Sequence, residues 1–292
     1  MTRTDPAVRS ASRAAAGGWH DARTRLLTTT YGTELSPTAD RASARRTARQ
    51  ATLWQIRVLA SWLPPANGRL AHLAAAPFEI SNVEQHLSRL AGQPIDDPMP
   101  LGSLSAAWNR VRLATSPEQV RSELARSTWR DPGGVDRAAI TIGLRVAWGR
   151  RVATQVPDAR AWAHGGLASL IAGERFVFDR DINEATSREL DRLFGTPWRQ
   201  AVDIADLADR LPFSANWVLA GIETASDLWR CETAVLHRVV HDAEPIATSG
   251  APTRRAVAAI LALLLVDLWR VSASIEAAGR GPASTEVLDA VA

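Results

Sequence analysis

AVAAILALLLVDLWRVSASIEAA, residues 256–278, begins as an almost unbroken apolar run and turns polar past its middle. Eleven apolar residues, Ala256 to Val266, precede Asp267. A helix rises about 1.5 Å per residue, so this run covers about half of a ~30 Å hydrocarbon core. A full span would draw Asp267 and Arg270 into lipid, at a cost of about 3 kcal/mol or more each. Val257, Ile260, Leu261, Leu264, Leu265, Leu268, Val271 and Ile275 recur at helical spacing, while Asp267, Arg270, Ser274 and Glu276 fall elsewhere. The stretch predicts a helix buried in protein, with no membrane span.

The rest of the chain has the same character. Glycine and proline gather in short clusters: SP (36–37), LPP (63–65), GQPIDDPMPLG (92–102), DPGG (131–134), GTP (195–197) and SGAP (249–252). Between them run alanine-, leucine- and arginine-rich stretches of helical composition. Thr115-Ser116-Pro117-Glu118 places a cap and an N1 proline before a helix through Leu124. Only RFVFDRDI, 175–182, alternates like a strand, and one strand makes no sheet, so the expected fold is all-α. The layout of 101–131, a Leu-Gly start, helix, break and second helix, resembles that of 193–217 and hints at a helical unit used twice.

Composition narrows the classes. The 292 residues suffice for a sizeable core, and 46% apolar with 22% charged residues is ordinary for a globular protein. The opening MTRTDPAVRSASRAAAGG lacks an apolar h-region and reads as a flexible tail over 1–18, followed by a helical domain over 19–292 with sub-boundaries near 100 and 195. A single cysteine, Cys231, forms no internal disulfide and suits a reducing compartment. All 34 basic Lys/Arg positions are arginine, which lifts the pI to about 10.2 although the formal charge is only +3. The densest cluster, RASARRTARQ (41–50), reads as a solvated helix face; a nucleic-acid site on Arg45, Arg46 and Arg49 is its competitor. The eleven tryptophans are scattered, as core residues of packed helices are.

Motifs for chemistry are incomplete. His237 and His241 have zinc-ligand spacing, but Arg238 stands where H-E-x-x-H has glutamate. DRDINE (179–184) starts like a calcium loop, yet Glu184 occupies the glycine position and Leu190 that of the closing glutamate, so it reads as a helix cap. Asp203, Asp206 and Asp209 share a helix face and raise the alternative of a Mg-diphosphate-dependent, terpenoid-synthase-like enzyme; a solvated face balanced by Arg199 and Arg210 is the simpler reading. Nucleophile-elbow, P-loop and dinucleotide motifs are missing, and Cys231 has no convincing base beside it. The residues point to no catalytic centre, metal site or cofactor, and to a helical scaffold.

Five stretches carry a resemblance. They are WHDARTRLLTTTYGTEL (19–35), FEISNVEQHL (78–87), LGSLSAAWNRVRLATSPEQVRSELARSTW (101–129), SDLWRCETAVLHRVV (226–240) and LLLVDLWRVSASIEA (263–277). In order, they resemble the opening helix, the Tyr-Asp-x-x-Asn signature, the loop and capped helices, a leucine-rich helix, and the final acidic-plus-Asn helix of the C/d-type connector family of rotary V-type and A-type ATPases. Phe78 and Glu79 replace the family's tyrosine and aspartate, Asn82 fits, Glu232 and Asp267 hold acidic places, and Arg270 stands for asparagine. The resemblance implies a funnel of three related helical bundles. It also implies a non-catalytic connector between the central-stalk subunits and the membrane rotor ring, coupling ATP hydrolysis elsewhere to ion, and by expectation proton, transport. No nucleic acid would be bound, and the protein would sit peripherally on the cytoplasmic face through its partners. Phe78, Glu79, Asn82, Glu232, Asp267 and Arg270 would then serve architecture rather than chemistry.

Overall fold

The computed structural model describes residues 18–33, 35–250 and 253–278, so most of the 1–18 tail lies outside the described residues. Those residues form twelve α-helices and, among them, no strand. In chain order the helices are α1 Trp19–Leu26, α2 Arg41–Trp62, α3 Pro65–Leu90, α4 Trp108–Val111, α5 Pro117–Ala125 and α6 Arg137–Gln155. They continue with α7 Arg160–Phe176, α8 Glu184–Phe194, α9 Ile204–Arg210, α10 Phe213–Asn216, α11 Trp229–Ala247 and α12 Arg254–Ala277. Two compact units result: 1–74 with 236–292, and 75–235. Both divisions fall within helices, α3 and α11, where no glycine or proline cluster marks them.

In the first unit, α2 packs on α12. Ala44, Ala48 and Ala51 repeat on one face of α2 and lie in the same cluster as Val271 and Ile275 of α12, together with Leu26, Tyr31, Leu35 and Ala39. Methyl-sized side chains at i, i+4 and i+7 let two helix backbones approach, so the alanines between the arginines of 41–50 are the packing seam. Arg41 and Arg45 are exposed on the outside, Arg45 paired with Glu276, while Arg46 and Arg49 are half-buried, so only part of the cluster is a solvated face.

The stripe expected on α12 is shifted. Leu261, Val271 and Ile275 are buried, but Val257, Ile260, Leu264, Leu265 and Leu268 are only half-buried, and Ala256, Ala259, Leu263, Val266 and Ser274 are buried with the first three. Arg270 and Ala277 are buried too, so the covered side of α12 mixes large and small residues and is rotated from the stripe that the apolar positions alone suggest. By length and composition α12 is long enough to cross a membrane; 39% of its most apolar window is buried inside the protein.

The second unit is centred on α6, α7 and α8. Ile142 and Val146, Leu167, Ala168, Ile171 and Ala172, and Leu190 and Phe194 share one core with Trp198, Ile204, Leu207 and Val218. Gly149 sets the α6–α7 spacing: a Cβ there would lie 2.8 Å from Leu167 Cγ. Ser116 and Asn183 cap α5 and α8 by accepting from Gln119 N and Thr186 N, so both predicted caps are present. RFVFDRDI is no strand. Arg175 and Phe176 finish α7, and the remainder connects to α8.

A local likeness lies elsewhere than expected. Ser116-capped α5 leads to buried Trp129, and Asn183-capped α8 leads to buried Trp198. The DPGG loop docks on the second cap, where Asn183 Nδ2 and Thr186 Oγ1 donate to the Pro132 carbonyl at 2.9 and 3.2 Å. Gly133 has φ +81°, and a Cβ there would lie 2.2 Å from Asn183 Oδ1. Gly133→Ala should therefore cost about 2–3 kcal/mol, from left-handed strain plus the disturbed cap, read as a lower urea midpoint with an unchanged slope.

Candidate functional site

Residues 91–107 contain GQPIDDPMPLG and form no α-helix, so the buried part of this backbone must find hydrogen bonds elsewhere. Helix α3 supplies them. Phe78, Glu79 and Asn82, the three signature positions on this helix, are all buried, with Glu79 and Asn82 each only 1% exposed. Asn82 Nδ2 donates to the Met99 carbonyl at 2.9 Å, and Met99 N donates to Asn82 Oδ1 at 2.8 Å, so one amide satisfies both backbone groups of one residue. One turn earlier, the Glu79 carboxylate accepts from Ala106 N at 2.9 Å, Ala107 N at 2.6 Å and Trp108 N at 2.6 Å. One turn later, His86 Nε2 donates to the Ala114 carbonyl at 3.0 Å and packs edge-on against Trp108, with ring centroids 6.0 Å apart. Positions 79, 82 and 86 are i, i+3 and i+7, so one helix face grips three successive points of 99–114.

The charge balance at this clamp is local. A buried carboxylate is tolerated when several donors solvate it, and the three amides at the start of α4 do so with their dipoles aligned. A cation adds to this. Burial pushes the Arg151 guanidinium below its ordinary range, and the Glu79 charge pushes it back up; the guanidinium stacks over Trp129 at 5.4 Å. Truncation at Glu79 would strand amides rather than delete a surface charge. Glu79→Ala should destabilise by roughly 3–5 kcal/mol and Asn82→Ala by about 1–3 kcal/mol in urea denaturation, with Glu79→Gln between wild type and Glu79→Ala.

The other signature residues are placed differently. Asp267 and Arg270 lie one turn apart on α12 with a 3.9 Å ion contact, Arg270 buried. Glu232 is exposed on α11. The structure therefore brings together Phe78, Glu79 and Asn82 as one group and Asp267 with Arg270 as another, and Glu232 joins neither as an enclosed residue.

The alternative chemistries meet ordinary structural roles. Asp203 caps α9 by accepting from Asp206 N at 2.8 Å, while Asp206 accepts from Val202 N at 3.0 Å and from Arg210 Nε at 2.6 Å. Asp209 is exposed. His237 and His241 are exposed on α11, and among the described residues no group of three His, Cys, Asp or Glu side chains could hold a metal ion. Cys231 is fully buried and donates to the Val218 carbonyl at 3.3 Å; burial raises its thiol above the ordinary value. His164 Nδ1 and Ser214 Oγ lie 2.8 Å apart, which resembles half of a nucleophile–base pair. The imidazole packs on Phe194 at 5.2 Å, and among the described residues no carboxylate hydrogen-bonds to it, so nothing orients it as a base.

Sequence reasoning missed His86, Arg151 and Arg175. The last donates to the Trp198 and Ala201 carbonyls at 2.8 Å each and fixes the turn before α9. His86 alone was within reach, since it continues the spacing of Glu79 and Asn82. Neither a family model nor a curated protein matches this sequence.

Burial lowers the pKa of both His86 and His164. The unfolded chain, with imidazoles near pKa 6.5, then takes up protons first as pH falls. Stability should be full above about pH 7, decline as pH falls below about 6.5, and fall less steeply in a His86→Gln, His164→Gln variant. Thermal melts between about pH 7.5 and 5.5 read the difference before carboxylates titrate.

Proposed function

We propose that this chain is a non-catalytic connector in a rotary V/A-type ATPase. It would seat the central stalk and couple it to the membrane rotor ring, so that ATP hydrolysis in other subunits drives ion transport. The observation that carries the reading is the use made of the acid-x-x-Asn signature on α3. The side-chain hydrogen bonds of Glu79 and Asn82 go to the backbone of 99–108, in a chain whose described residues are helical without strands. A torque-bearing socket needs stiff helical walls, and residues that resist slippage between a helix and its neighbouring loop serve that need. Its cofactor requirement would be none and its own turnover nil.

The departures from the family pattern are conservative in this role. Phe78 keeps the aromatic ring where the family has tyrosine, Glu79 keeps the carboxylate with one more methylene, and Arg270 stays hydrogen-bond capable beside Asp267. Localisation would be peripheral, on the cytoplasmic face, through partner subunits.

Purification of the tagged chain from gently solubilised membranes of its own host, followed by mass spectrometry, tests the proposal. Stalk, catalytic and ring subunits should accompany it in defined stoichiometry, and Glu79→Ala should release them. Elution of the folded chain alone from the soluble fraction would end the connector reading.

A further inference from the structure

From Arg41 to Phe78 the chain has six arginines and no aspartate or glutamate. Helix α2 and the first turns of α3 therefore carry six positive charges and no acidic residue of their own along 38 residues, with Arg45 paired to Glu276 of α12. The corner between them is also where apolar surface is left in water. Trp62 is 81% exposed and Trp54 is 60% exposed. Trp54, Val58 and Trp62 are four residues apart in turn, so they share one face of α2, and exposed Arg57 lies on its edge. Beyond Trp62 come half-buried Leu63 and exposed Pro64 and Pro65, and exposed Arg69 follows about 6 Å along α3.

We infer that this corner, the last two turns of α2 with the Trp62-Leu63-Pro64-Pro65 turn, docks on an anionic membrane surface. Indole rings have an apolar body and one N–H donor, and they settle at the level of lipid headgroups. An apolar turn with arginines about one helical turn behind it on both sides sets those guanidiniums at phosphate depth while the rings enter the boundary. The charge selects anionic headgroups. A single strand could stack on Trp54 and Trp62, but Leu63, Pro64 and Pro65 would add nothing to that contact, whereas on a lipid surface the whole turn is buried with the indoles. The inference concerns the isolated chain and does not rest on the connector reading.

Vesicle flotation with the full purified chain tests it. The probes are vesicles of phosphatidylcholine alone and of phosphatidylcholine with about 30% phosphatidylglycerol at low salt. Wild type should float with the anionic vesicles and not with the neutral ones. Arg57→Gln with Arg69→Gln should weaken partitioning about 30-fold, the loss expected for two arginines near a charged surface. Trp54→Ala with Trp62→Ala should abolish flotation, with the far-UV spectrum and melting temperature of both variants kept, since all four residues are exposed. Failure of the wild type to float with anionic vesicles overturns the inference, as does flotation unchanged in both variants. Binding of a single-stranded oligonucleotide, or self-association lost in Trp62→Ala, overturns it too if vesicles are not bound.

Discussion

A charge placed inside a protein must be solvated by the protein, and in this chain Glu79 makes that requirement shape everything around it. Its carboxylate cannot face water, so three consecutive amides have to be delivered to it, at Ala106, Ala107 and Trp108. Delivering them fixes the phase at which α4 begins. Asn82 then holds Met99, and His86 holds Ala114, so the irregular segment has little freedom between its ends. The dependence is mutual, because the same loop would have buried, unpaired backbone without those side chains. Proline-rich composition prevents the loop from forming its own ladder, and α3 provides a substitute.

The two units solve the packing problem in different ways. The first brings α2 and α12 together over alanines, gaining contact by closeness rather than by large side chains. The second uses larger groups, with Trp198, Phe194 and leucines filling the space among α6, α7, α8 and α9. Glycine is used where a large group must be met: Gly165 faces the Trp217 ring, which a Cβ would approach to 2.6 Å. The tryptophans divide accordingly. Trp108, Trp129, Trp162 and Trp198 are buried, whereas Trp54, Trp62 and Trp229 are exposed. Scatter along the chain does not distinguish the two sets, since the difference depends on which face of each helix is covered.

Much of the fold was legible because helix signals are local. Capping at Ser116 and Asn183, the breaks at DPGG and GTP, and the exposure of Arg41 and Arg45 follow from neighbouring residues alone. The buried face of α12 was legible only in part: composition marks a helix as apolar, but the partner decides which side is covered. The unit boundaries were illegible for a related reason, since continuous helices cross both. At the candidate site, resemblance drew attention to Phe78, Glu79 and Asn82, while their hydrogen-bond partners were ordinary backbone groups that no residue type announces. Arg151 and Arg175 stayed hidden among so many arginines. Asp203 and Asp206 looked more informative than they are, because cap residues and metal-binding carboxylates share the same three-residue spacing.

The solitary thiol has a practical meaning. Cys231 is enclosed at the start of α11, bonded to the Val218 carbonyl, and burial keeps it protonated. A thiol in that state neither attacks disulfides nor reacts with alkylating reagents until the surrounding helices part. With one cysteine in the chain, every labelling event reports the same opening. The protein thus carries its own clock for the breathing of its second unit, readable without adding a probe or altering a residue.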